Sequence, residues 1–234
     1  MSALASTLSS DIKQIFGTTW NSRNGIVVPE TDDVALSNGA VKLQAAVLYA
    51  DLARSTQLAL KNKLTAAKVV RAYLSTMARL VNRTGGVVRS FDGDRVMGVF
   101  IGDSKSSDAA RCALKMNYVL TKMLRPQAQA KFASLKDFTL KHCVGISWSD
   151  VLVVRGGIRD SNDLVFVGAA PNFAAKLSEI RNSPWNTYIT TSVYNHLNKA
   201  SKFGGNGRNM WTSTRRSVGG TERHLYKSTW HWEP

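Results

Sequence analysis

The chain has 234 residues, and its 31 Lys and Arg against 16 Asp and Glu give a formal net charge of +15. An apolar share of 44% excludes wholesale disorder. No apolar run approaches the roughly 18 residues a membrane span needs, and two cysteines, Cys112 and Cys143, are too few for a disulfide framework or a zinc cluster. The basic balance attracts anions, whether nucleic acid, an acidic surface or a polyphosphate. The basic residues are spread from Lys13 to Lys227 and no DNA- or RNA-binding motif is present, so a polyphosphate fits better than nucleic acid. Residues 1–10 lack a basic start and a sustained apolar run, so a secretory signal is not expected and a cytoplasmic location is.

Residues 1–39 read as an N-terminal extension and 40–234 as the main domain. Leu4, Leu8, Ile12 and Ile15 or Phe16 predict a short amphipathic helix. Pro29–Asp33 and Ser37–Gly39 read as loop. Leu43–Ala50 is an apolar run that predicts a buried strand ending at Asp51. Val69, Tyr73, Met77 and Leu80 fall on one face of a long helix, which Gly85-Gly86 stops. Val87–Phe91 and Val96–Phe100 predict a hairpin around Asp92-Gly93-Asp94-Arg95, since Asp-Gly between apolar runs is a strong turn signal. A helix is expected over Ser106–Leu124, ended or kinked by Pro126. Phe138–Ile146 and Val151–Val154 read as two strands, the second closed by Gly156-Gly157. A strand at Leu164–Val167 leads through Gly168 into a helix near Asn172–Ile180. Tyr188–Thr190 is a further strand, Ser192 is expected to cap a helix through Leu197, and the remainder reads as β-rich. The order β-α-β-β-α-β predicts an α/β (α+β) fold of the ferredoxin-like type. Its antiparallel-rich sheet should carry helices packed mainly on one face.

Two carboxylates stand out by position. Asp51 ends the first strand and Asp94 sits at the hairpin tip, and the fold sets these elements side by side. Close carboxylates repel unless a cation lies between them, and a hard divalent ion is the economical choice. Each can equally be a turn or cap residue. The turn Leu52-Ala53-Arg54-Ser55-Thr56 offers backbone N–H groups to phosphate oxygens. Asn172 and Lys176 lie one helical turn apart after Gly168, an amide and a cation able to grip a ribose and a phosphate. His142, His196, His224 and His231 show no ligand spacing and read as structural or surface groups, and Cys112 as core.

These segments resemble the class III nucleotidyl cyclase catalytic domain over roughly residues 45–197. The family has F-x-D at the end of its first strand, where this chain has Tyr49-Ala50-Asp51. It has G-D in the hairpin, here Gly93-Asp94, and G-x-x-x-N-x-A-x-R opening a helix, here Gly168 with Asn172, Ala174 and Lys176. The resemblance implies two Mn2+ or Mg2+ ions per site, held by Asp51, Asp94 and the Leu52 carbonyl. It implies a homodimer with active sites at the interface, and Asn172 and Lys176 as catalytic residues from the opposite subunit. Departures bear on the substrate. The two purine-reading positions carry Ser90 and Val165, neither of them charged. Tyr49 replaces Phe, Arg95 follows the second Asp, and Lys176 replaces Arg. Val218-Gly219-Gly220-Thr221 looks like the family's glycine hairpin without its phosphate-binding Lys, and Arg215, Arg216, Arg223 or Lys227 are candidates to compensate.

Neutral readers beside a Tyr hydroxyl point to a pyrimidine. Val165–Leu177 and Phe91–Phe100 look closest to the pyrimidine cyclases of bacterial Pycsar antiphage defence. That likeness implies a cyclic nucleotide made as a messenger for a separate effector protein. With Tyr49, Ser90 and Arg95 as donors near the base, UTP is favoured and cyclic UMP is the expected product. CTP stays open, as does a catalytically weak domain that binds nucleotide or RNA.

Overall fold

The computed structural model describes residues 2–234, so Met1, the first residue of the expected extension, lies outside the described residues. In chain order the elements are α1 (Ala3–Gly17), β1 (Asn21–Asn24), β2 (Gly39–Ala53), α2 (Ser55–Lys61), α3 (Lys63–Arg83), β3 (Val87–Asp92), β4 (Arg95–Phe100), α4 (Lys105–Tyr118), α5 (Arg125–Lys131), β5 (Lys141–Ile158), β6 (Ser161–Gly168), α6 (Ala169–Ser178), β7 (Thr187–Thr190), α7 (Thr191–Asn195), α8 (Lys199–Lys202), β8 (Thr212–Val218) and β9 (Thr221–Ser228).

β2 shows why the sheet forms. Its residues alternate, with Ala46, Leu48, Ala50 and Leu52 entering the main apolar core and Val47, Tyr49 and Asp51 facing the other way. The main strand path is β3-β4-β2-β5-β7-β9-β8. Its first four members have the split βαβ order expected, with β2 antiparallel to β4 and β3 antiparallel to β4. On the core face α3 buries Val69, Tyr73, Met77 and Leu80, and α4 buries Ala109, Cys112, Ala113 and Met116. The stripe predicted on α3 is therefore its core stripe. α6 lies with a smaller cluster of Cys143, Leu177, Tyr188, Val218 and Leu225.

The chain divides into two compact units, Met1–Leu43 with Asp150–Gly168, and Gln44–Ser149 with Ala169–Pro234. In the first, β1 runs parallel to the start of β2 and β6 is antiparallel to the end of β5. Arg155 bridges to Asp32 at 3.2 Å, and Thr31 Oγ1 donates to Asp163 at 3.3 Å. α1 forms as its periodicity predicts, with Ser2 as N-cap, and buries none of its residues.

Three expectations are corrected. Phe138–Ile146 and Val151–Val154 are not separate strands, because β5 runs unbroken over 18 residues; pairing with β7 at one end and β6 at the other carries it through the polar middle. Pro126 does not end the helical run, which continues to Lys131. A π-helical turn over Val119–Leu124 precedes it, and the Arg125 N–H reaches back to Leu120 O, so proline falls where the hydrogen-bond register changes. Ser192 is not the cap of α7; Thr190 holds that position and its Oγ1 pairs with Ser192 Oγ at 2.8 Å.

A buried polar network holds the core layers together. His142 accepts at Nδ1 from the Tyr73 hydroxyl at 3.2 Å and donates from Nε2 to Asn117 Oδ1 at 2.8 Å. Asn117 in turn donates to Thr187 Oγ1 and Trp230 O. Both ring nitrogens are satisfied in the neutral imidazole, and burial, first, with Arg125 and Arg181 adding to it, pushes its pKa down to about 3. Burial pushes both thiols, Cys112 and Cys143, up to about 12, which makes them inert core groups.

Candidate active site

The site is built on adjacent rows of one sheet face. Asp51 of β2 pairs in register with Arg95 of β4, which pairs with Asp92 of β3. Two residues back, Tyr49 pairs with Met97, which pairs with Ser90. Directly opposed residues share a face, and a step of two keeps that face, so Tyr49, Ser90 and Asp51 are aligned about 7 Å apart along the strands. Leu52 N–H donates to Asp94 O at 3.4 Å, which fixes the hairpin tip beside the end of β2. Asp51 and Asp94, 43 residues apart in sequence by position, are thereby neighbours.

Their environments differ. Asp51 is 9% exposed, and burial raises its carboxyl pKa, opposed by Arg181 and reinforced by the charge of Asp94. Arg181 Nη2 donates to Asp51 Oδ2 at 3.0 Å. Asp94 Oδ2 is buried and has no hydrogen-bond partner. A buried carboxylate oxygen without a donor is costly unless a cation or proton meets it. The pair therefore fits a hard divalent ion. Among the described residues no three His, Cys, Asp or Glu form a ready cage. Two carboxylates and a carbonyl suit an ion that takes its remaining ligands from phosphate and water.

The next row is neutral apart from one cation. The Tyr49 hydroxyl donates to Met97 Sδ at 3.2 Å, and the Arg95 guanidinium lies 5.3 Å from the Tyr49 ring centre. Burial raises the Tyr49 pKa despite Arg95, so the hydroxyl keeps its proton and remains a donor. Arg95 also pairs with Asp92 at 2.7 Å and Glu179 at 3.1 Å. Arg54 takes the left-handed conformation, φ 65°, which turns the chain sharply from β2 into α2. Its side chain is held by Gln57 at 2.6 Å and lies over the Phe138 ring; Ser55 and Thr56 open α2.

α6 presents Asn172 and Lys176 as exposed side chains. A Cβ at Gly219 would meet Lys176 Nζ at 2.6 Å, so the lysine lies against the β8–β9 turn, where the left-handed backbone, φ 61°, favours glycine. The four basic residues of this hairpin are engaged: Arg223 over Phe173, Lys227 over Trp185, Arg216 near the Tyr188 hydroxyl, and Arg215 with Glu222. Val165 belongs to the other unit, on β6 opposite Val154, and is 46% exposed.

Comparison with known proteins decides the family. The chain is 43% identical over 198 residues to a uridylate cyclase of Rhodovulum sp. (strain MB263), covering 83% of this chain and 82% of that protein. It is 40% identical over 233 residues to a uridylate cyclase of Burkholderia cepacia, covering 98% and 99%. A third, from Xanthomonas perforans, is 38% identical over 232 residues, covering 98% of each. The chain belongs to the uridylate cyclase family.

The solved structures agree at the level of fold. A bacterial light-regulated adenylyl cyclase superposes on the cyclase with TM-score 0.70 at 22% identity, over 82% of this chain and 53% of that one. An adenylyl cyclase from P. aeruginosa gives 0.67 at 19%, over 81% and 95%. No protein-family model matches the chain. The cyclase is thus a nucleotidyl cyclase of the class III fold, and among the described residues none of its helices is long and apolar enough to cross a membrane.

The structure brings together Tyr49, Asp51, Leu52, Ser90, Asp94 and Arg95. Sequence reasoning missed Arg181 and Glu179, which reach this edge from just beyond α6. The one signal was a glutamate and an arginine two residues apart just after the helix that carries Asn172 and Lys176.

Proposed function

We propose that the cyclase converts UTP to 3′,5′-cyclic UMP and pyrophosphate as a homodimer. The observation that carries this is the carboxylate pair, Asp51 beside Asp94 with its unpartnered Oδ2, next to a row that offers hydroxyl and guanidinium donors. Asp51, Asp94 and the Leu52 carbonyl would hold two divalent ions, Mn2+ or Mg2+. Such ions supply acidity for the 3′-hydroxyl and neutralise charge on the phosphates. Tyr49, Ser90 and Arg95 face the base. Uracil O4 is an acceptor and suits these donors, whereas the cytosine amine needs an acceptor. Val165 leaves the family's second purine-reading position uncharged, as Ser90 leaves the first. N–H groups at Arg54, Ser55 and Thr56 hold phosphate oxygens.

Asn172 and Lys176, exposed on α6, serve the nucleotide bound by the partner subunit. The amide orients the ribose, and the ammonium counters charge that grows at the α-phosphate. The 3′-oxygen bonds to the α-phosphorus as the bond from phosphorus to the bridging oxygen breaks. Pyrophosphate leaves in line, and the hydroxyl proton passes to solvent. The domain that does this is 40–234, with residues 1–39 as an extension. The likeness of two segments to Pycsar cyclases supports a cytoplasmic role in antiphage defence, with cyclic UMP read by a separate effector.

The test is to incubate the purified chain with Mn2+ and each of ATP, GTP, CTP and UTP, and to identify products by mass and retention time. Cyclic UMP from UTP alone is expected. Cyclic CMP would overturn the base assignment. A purine product would overturn the reading of Ser90 and Val165.

A further inference from the structure

Asp51 already has a cation. Arg181 Nη2 donates to its Oδ2 at 3.0 Å, while Nη1 of the same guanidinium donates to Ser178 O, the last residue of α6, at 2.6 Å. A second ion pair joins the same segment after α6 to the neighbouring strand β4 in the opposite sense, with Glu179 accepting from Arg95 Nη1 at 3.1 Å. The end of α6 thus sets an arginine against one carboxylate of the pair and a glutamate against the arginine that follows the other. The carboxylate of Asp51 is 12% exposed and the Arg181 side chain 41%, so the guanidinium is the partner with freedom to leave. Asp94 differs, since its Oδ2 has no hydrogen-bond partner.

We propose that Arg181 is a built-in counter-cation that competes with the divalent ion for Asp51, so that metal loads fully only when a nucleoside triphosphate arrives with it. The inference rests on the reading of Asp51 and Asp94 as metal carboxylates. A guanidinium in contact with a carboxylate and a divalent ion bound to it repel each other at close range. Loading the ion therefore requires the guanidinium to move off. A polyphosphate gives it somewhere to go, because arginine forms paired charge-assisted hydrogen bonds with phosphate oxygens as readily as with a carboxylate. Arg181 is then a positioning residue for metal and substrate together. The Glu179–Arg95 pair, which carries no metal carboxylate, keeps the end of α6 in place while Arg181 changes partner.

The test measures metal affinity rather than turnover. Free Mn2+ is followed by its electron paramagnetic resonance signal during titration of the full chain without nucleotide. Arg181→Gln is expected to bind Mn2+ about tenfold tighter than wild type, an equilibrium shift of ~1.4 kcal/mol. Arg181→Lys, which keeps the charge, should fall between the two. Loss of a merely structural residue weakens binding; only loss of a competitor tightens it. Equal or weaker Mn2+ binding by Arg181→Gln, with a wild-type circular dichroism spectrum, overturns the proposal. If Arg181→Gln does not fold, Arg181→Lys decides, and binding no tighter than wild type overturns it. Asp51→Asn and Asp94→Asn separate the two readings. If neither weakens Mn2+ binding, the metal-site reading fails; if both weaken it and Arg181→Gln gains nothing, the competition alone fails. With a non-cyclisable UTP analogue present, the gap between wild type and Arg181→Gln should close, and a gap that stays tenfold overturns the role of the polyphosphate.

Discussion

Gly145→Ala tests how α6 is held over the sheet. Gly145 lies in β5 directly beneath that helix. A Cβ there would meet Ala174 O at 2.2 Å, Ser178 N at 2.6 Å and Leu177 Cβ at 2.7 Å, against an ordinary contact of 3.4 Å or more. Two of the three obstacles are backbone atoms, so no rotamer change relieves them. The helix must lift by about 1 Å, and overpacking of this kind costs roughly 1–3 kcal/mol. For a chain of this size that lowers the melting temperature by on the order of 5 °C. The same displacement moves Asn172 and Lys176. A misplacement of about 1 Å in groups that position a substrate costs on the order of 100-fold in turnover. The assay pairs a thermal melt with the rate of cyclic UMP formation. The expected result is a folded, less stable protein with turnover reduced far more than its stability. Wild-type turnover would show that α6 is not where the chemistry depends on position.

Three further outcomes follow from the same geometry. Asp51→Asn should cost at least about 1,000-fold in turnover, measured by product formation. Burial raises the Asp51 carboxyl above its usual 3.8, so its favourable contribution is present below that value and lost as pH rises through the raised one. At pH 7 the carboxylate is therefore a cost, and Asp51→Asn should melt at or above the wild-type temperature. His142 has the opposite sign: its stabilisation is present above pH 6.5 and lost as pH falls toward about 3. Urea midpoints should fall by the equivalent of roughly 3 kcal/mol between pH 7 and pH 4, and a His142→Gln variant should lack that slope. Finally, Asp51→Asn and Lys176→Ala, each inactive alone, should recover about a quarter of wild-type turnover when refolded as an equal mixture. Half the dimers would then carry one intact site, and no recovery would refute a site shared between subunits.

Local chemistry made much of this protein legible from the sequence. The stripe of Val69, Tyr73, Met77 and Leu80 is buried on α3 as its spacing required. The Asp-Gly hairpin turns at Gly93, φ 60°, as its composition required. From those elements the split βαβ order follows, and it is that order which sets Asp51 beside Asp94. Tyr49 shares a face with Asp51 because the two lie two residues apart on one strand.

What local pattern does not encode is which polar side chains meet across layers. Arg181 and Asp51 are 130 residues apart and Arg95 and Glu179 are 84 apart. Neither arginine lies on a periodic face that announces a partner. The hydrogen-bond partners of His142 are Tyr73 and Asn117, contributed by two different helices. The seat of α6 depends on a single missing Cβ at Gly145. β5 runs through a polar middle because strands on either side pair with it. Each of these was decided by packing, where burial strips water from a charge or a ring and leaves it to find its partner among residues that only the folded chain brings near.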